Sequence, residues 1–303
     1  MGSSSSGGGP FTVNLDFPVQ TVPPGAEDTQ CVVLTIPLAV AARVESLHNT
    51  LEPGANELFL FRTSDAEQTT PAPCAPFQGV QDGSLLMLTH KADDTLQFPA
   101  GVGYLFGPQQ RVRLMLHLFN PGTTPLDVHV RATLTLNPDV TNHVEAGLLL
   151  VMSPDVAVAP GASQSLTAFL AVPGTGPLAG ASYFRMMGYT HAYGTQFAAT
   201  TGPGAAGPMT TRISGAFDPS NPSQALFDPA FQLPVPGGFG FTCQWNNTGG
   251  TMVGWGTSAL DEMCVVQASF FPATSSVVCM HTAQGGGQDF CCPGSPACAS
   301  LFP

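Results

Sequence analysis

The chain is short of charge. Only 9% of its 303 residues are Asp, Glu, Lys or Arg, against about 25% in an average soluble domain. Lys91 is the only lysine, and with the arginines the basic residues total 8 against 20 acids, a net charge of −12. So little positive charge argues against nucleic acid or anionic lipid as an electrostatic partner. Any apolar run of about 20 residues, the length of a membrane-crossing helix, is missing, as is any long helical period. The sequence also lacks GxSxG, a Walker loop and HExxH, and with them a nucleophile elbow, a phosphate cradle and a zinc helix. No paired carboxylates point to hydrolysis.

Glycine (34) and proline (29) are abundant and spread along the chain. Between them lie short apolar runs such as "ELFLF", "RVRLMLHLF", "VHVRATLTL", "GLLLVM", "SLTAFLAV" and "VVQASFF". Short strands separated by turn residues predict an all-β protein of sandwiches or barrels. Two tandem β-sandwiches are expected, over 11–138 and 139–273, with 201–240 mostly a long connection holding at most one short strand. Residues 1–10, "MGSSSSGGGP", read as a flexible linker to be left out of fold reasoning. Such a tether also follows the lipidated cysteine of a bacterial lipoprotein. That cysteine is not in the chain, so a lipid anchor in the native protein stands beside a cloning linker as an alternative.

Eight cysteines, at 31, 74, 243, 264, 279, 291, 292 and 298, predict disulfides and an extracytoplasmic location, whether secreted, periplasmic or tethered at the cell surface. Their spacing does not make zinc knuckles. Residues 274–303 hold four of them in a Gly-rich stretch too small to build a core, expected as a tail stapled by two disulfides whose pairing is open. His90, His129 and His143 stand singly and read as surface or hydrogen-bonded histidines. "CMHT" puts Met280 beside His281, where flanking cysteines favour a disulfide knot over a soft-metal site. "NNT" at 246–248 is a glycosylation sequon, meaningful in a eukaryotic secretory route.

Four segments in order resemble the copper type II, ascorbate-dependent monooxygenases. They are "LQFPAGVGYLFGPQQRVRLMLHLFNP" (96–121), "AGLLLVMSPDVAVAPG" (146–161), "YTHAYG" (189–194) and "CQWNNTGGTMVGWGTSALDEMC" (243–264). The last, with "GTS" followed by "DEMC", is the most specific, and the likeness spans roughly residues 28–272. The resemblance implies two jelly-roll-like β-sandwiches flanking a cleft, each carrying one copper. Imidazoles hold copper in both oxidation states and a thioether favours Cu(I).

Carried over residue by residue, the ligand sets are incomplete. His117 falls on the lone first-domain histidine, whereas the adjacent histidine pair is replaced by Asn56 and Glu57. His48 would approach only under a different alignment. In the second domain His191 and Met263 match two ligands, and Tyr189 stands where the third would be a histidine. A phenol with a pKa near 10 is a weak ligand for Cu(I). The arginine that anchors a peptide carboxylate is replaced by Met187, with Arg185 nearby, and the polar residue after Glu-Met-Cys by Val265. The resemblance also implies a Cys243–Cys264 disulfide and Cys74 as the partner of Cys31.

The expectation is an exported monooxygenase-like protein whose dinuclear copper centre is degenerate. It would bind a small molecule or peptide in the interdomain cleft, or serve a structural role at a surface, with at most one copper ion. Two alternatives stand against it: an enzyme, a divergent copper-dependent oxygenase, and a copper-binding protein for storage or sensing, each using His191 and Met263.

Overall fold

The computed structural model describes residues 8–283, 287–293, 295 and 298. Most of the expected linker (1–7), and residues 284–286, 294, 296, 297 and 299–303 of the expected tail, lie outside the described residues. The protein is all-β, with two jelly-roll-like sandwiches and a disulfide-bonded cysteine-rich C-terminal region.

The first unit comprises Met1–Pro73 and Leu86–Ala146. Its strands are β1 (Phe11–Val22), β2 (Glu27–Ile36), β3 (Ala42–Leu51), β4 (Ala55–Thr63), β5 (Gln68–Pro73), β6 (Leu85–Thr89), β7 (Asp93–Gln97), β8 (Val102–Phe106), β9 (Gln110–Phe119), β10 (Leu126–Asn137) and β11 (Val144–Glu145). One sheet runs β1-β10-β3-β8-β11, with β7 also on β3, and the other runs β5-β2-β9-β4-β6. β10 shows why such a sequence becomes a half-buried strand. Val128, Val130, Ala132, Leu134 and Leu136 alternate inward, and the residues between them point outward. Each buried valine or leucine contributes about 1.5–3 kcal/mol. β9 is the central strand of its sheet, and its run Leu114–Leu118 is buried without alternation, as expected of a strand covered on both faces.

The second unit comprises Cys74–Leu85 and Gly147–Pro303. Its strands are β12 (Gly147–Met152), β13 (Ala157–Val158), β14 (Ser163–Val172), β15 (Ser182–Tyr189), β16 (Gly194–Gly202), β17 (Thr210–Ala216), β18 (Gln224–Gln232), β19 (Gly237–Asn246), β20 (Val253–Gly254), β21 (Val265–Phe271), β22 (Val277–Thr282) and β23 (Gln288–Cys292). The sheets run β18-β15-β21-β12-β22-β23 and β14-β19-β16-β17, with β13 paired to β20.

Three expectations differ from what forms. Residues 139–146 pack with the first unit, because β11 pairs with β8 and Glu145 accepts from the Arg62 guanidinium and the Leu105 N–H. The stretch 201–240 holds β17, β18 and the start of β19, and polar edge strands carry too weak an apolar pattern to be read directly. Within 274–303, β22 and β23 extend the sheet beyond β12 instead of hanging as a tail. Cys279–Cys291 joins these two strands at paired positions, and Cys292–Cys298 closes the next loop.

The two units share a device. Buried Asn120 donates from Nδ2 to the carbonyls of Val22 and Thr124, and its Oδ1 accepts the Gly122 N–H. Buried Asn247 does the same with Val158, Thr251 and Gly249. In both, one amide ties a turn to an earlier segment of its own sandwich, and it satisfies a buried carbonyl, of Val22 or Val158, that would otherwise be stranded.

Candidate functional site

In the first unit the three residues singled out come together. Glu57 on β4 pairs with His117 on β9, and a register shift between Ala55 and Glu57 leaves Asn56 as an extra residue. Such a bulge re-aims a side chain, so two consecutive residues approach one imidazole. Asn56 Nδ2 donates to His117 Nδ1 at 3.3 Å, and Glu57 Oε2 lies 3.9 Å from the same nitrogen. His117 Nε2 donates to Glu27 Oε1 at 2.8 Å. These contacts engage both ring nitrogens. His90 joins the cluster, its Nδ1 3.4 Å from Glu57 Oε1. Glu57, His90 and His117 are all buried. His48 is elsewhere, on β3 of the other sheet, beside Asp93.

In the second unit the segment "GYTHAYG" closes β15 and opens β16. Both of its glycines are required by close packing. A Cβ on Gly188 would collide with the Phe197 ring, and one on Gly194 with Thr190 Oγ1. Tyr189 pairs with Val265 on β21, so Met263 lies just ahead of the paired stretch. The rings of Tyr189 and His191 meet edge to face at 5.3 Å. His191 Nδ1 donates to the Asp261 carbonyl at 2.9 Å. Tyr189, His191 and Met263 are all buried.

The hub of this region is Glu262, fully buried. Its Oε2 accepts the His191 N–H at 2.8 Å, the Trp245 indole N–H at 2.7 Å and the Met263 N–H at 3.3 Å. Its Oε1 accepts the Tyr193 N–H at 2.6 Å. Burial pushes its pKa above the ordinary carboxylate value, and the His191 charge and the donors pull against that rise. Cys264, the residue after Met263, is bonded to Cys243 with Cα atoms 5.8 Å apart. Cys31 and Cys74 are also disulfide-bonded, and no described cysteine is free.

Arg185 and Met187 alternate with Tyr189 along β15, and the one register shift of that strand falls before Arg185, so the three share a face. The Arg185 guanidinium donates to Gln224 Oε1 at 2.8 and 3.2 Å. Among the other histidines, His143 donates to Glu145 and His281 to Asp289, and His129 is exposed. Among the described residues, no three His, Cys, Asp or Glu side chains converge as metal ligands would.

Sequence reasoning missed Glu27, Asp261, Glu262 and Trp245, and read His90 as a lone surface or hydrogen-bonded histidine. Asp261 and Glu262 carried a signal, as part of "DEMC". Glu27 and His90 reach the cluster from segments remote in sequence.

No protein-family model matches the chain, and no curated protein does. Among solved structures, the major capsid protein P2 of bacteriophage PM2 is 8% identical with a TM-score of 0.38, covering 88% of this chain and 98% of that one. PNGase F, a glycosylasparaginase from Flavobacterium meningosepticum, is 12% identical with a TM-score of 0.34, covering 88% and 97%. The Broad Bean Stain Virus structure is 11% identical with a TM-score of 0.32, covering 90% and 94%. None of the three bears on function.

Proposed function

We propose that the chain is an extracytoplasmic binding or surface-structural module built on a copper-monooxygenase-like double sandwich, without a working dinuclear copper centre. The observation that carries this reading is the state of His117. One ring nitrogen donates to Glu27, the other accepts from Asn56, and the Glu57 carboxylate lies against both His117 and His90. An engaged imidazole among hard oxygen donors does not fit a Cu(I) ion. The oxidised cysteines support export, with secretion, a periplasmic location or surface tethering as the routes. The ligand of the module is a small molecule or peptide.

A second reading is favoured by His191. Its Nδ1–H is anchored on a backbone carbonyl, the arrangement that orients a metal-binding imidazole. Tyr189, His191 and Met263 would hold one soft cation there, and that ion would supply redox chemistry or storage. Oxygen uptake with ascorbate and added copper tests the two readings. The module reading expects no uptake beyond that of free copper. Uptake that saturates at one copper per chain and disappears in His191→Ala supports the second reading.

A further inference from the structure

We infer that Glu262 is the positioning residue of the His191–Met263 pair: its carboxylate sets where these two side chains stand relative to each other, and so whether they can share one soft cation. The inference deepens the one-ion reading above and rests on it.

Three consecutive residues bring the two candidate ligands under one set of anchors. The Asp261 carbonyl accepts the His191 imidazole N–H, the Glu262 carboxylate accepts the His191 main-chain N–H, and Met263 carries the thioether. Glu262 Oε2 takes the main-chain donors of both His191 and Met263, so two segments remote in sequence are pinned to a single oxygen atom. That oxygen is itself held. The Trp245 indole donates to it, the Glu262 N–H donates to the Gly254 carbonyl at 2.9 Å, and the neighbouring Cys264 is bonded to Cys243. A buried carboxylate is costly unless its oxygens are filled with donors, and here each oxygen is used. A metal site demands donor atoms placed within a few tenths of an ångström, and the groups that orient the ligands are worth about 10–100-fold in affinity.

The test uses the full chain and Cu(I) alone, with affinity read by competition against a chromogenic chelator. Glu262→Ala should weaken binding by about 10-fold or more. Glu262→Gln can keep its amide oxygen at the Oε2 position facing His191 and Met263, and should stay within a few-fold of the parent. Trp245→Phe removes a different donor from the same oxygen and should do likewise. A readout independent of metal is the ¹⁵N spectrum of the His191 imidazole. It should show the single Nδ1–H form in the parent and a mixture of both tautomers in Glu262→Ala. If the alanine variant fails to fold, Glu262→Asp, which withdraws the carboxylate by one methylene, should show the same two losses. Retained affinity and a single tautomer in a folded Glu262→Ala or Glu262→Asp protein would overturn the inference. A parent chain that takes up no Cu(I) would overturn the one-ion reading, and the tautomer spectra would then decide whether Glu262 positions His191.

Discussion

Asn247→Asp is nearly isosteric, yet it should unfold the second unit at much lower denaturant. The native amide donates to the carbonyls of Val158 at 3.0 Å and Thr251 at 2.8 Å and accepts the Gly249 N–H at 2.9 Å, with the side chain wholly buried. A carboxylate keeps the last contact and turns the other two into oxygen facing oxygen. Two lost hydrogen bonds at about 1 kcal/mol each, plus the stranded buried Val158 carbonyl at about 1–3 kcal/mol, give about 3–5 kcal/mol before relaxation. The new carboxyl can take up a proton and recover one donor, so the cost should shrink in acid. Both tryptophans, Trp245 and Trp255, lie in the second unit, so intrinsic emission follows that unit directly. With a urea slope of about 1–3 kcal/mol/M, the midpoint should fall by more than about 1 M at neutral pH. A fall smaller than about 0.5 M, or one that does not shrink on acidification, would refute the reasoning that the two donated bonds hold this turn.

Gly194→Ala should destabilise the second unit by about 1–3 kcal/mol, because the added methyl meets Thr190 Oγ1 and the site is already packed; urea unfolding followed by tryptophan emission reads it. Burial holds the pKa of Glu262 above its ordinary value of 4.5, so the folded chain keeps a proton that the unfolded chain releases. Stability from this group is complete below the ordinary value and is lost as pH rises through the raised one. Glu262→Gln should flatten that limb of the stability–pH curve. Thiol titration of the denatured, unreduced chain should find no free cysteine, since all eight are disulfide-bonded.

The sandwiches were legible in the sequence because their central strands are dense in apolar residues. "GLLLVM" became β12 and "RVRLMLHLF" lies within β9. The polar edge strands β17 and β18 were not legible, since solvent on one side and a sheet edge on the other leave few apolar positions. β22 and β23 were hidden by their cysteines, which suggested a stapled tail although the same residues also pair as strands. At the candidate site, Glu57 pairs with His117 and "YTHAYG" meets "DEMC", segments that stand out in the sequence by their histidines and their Glu-Met-Cys run. His90 and Glu27 could not be placed that way. They reach the first-unit cluster through strand ends and a loop, and their partners lie tens of residues distant along the chain.

The central claim is that the chain has no dinuclear copper centre. Copper loading followed by exhaustive dialysis and metal analysis tests it most directly. The account predicts at most one retained copper per chain, removed by His191→Ala or Met263→Ala and unaffected by His117→Ala. Two tightly held coppers per chain, one of them lost in His117→Ala, would contradict it.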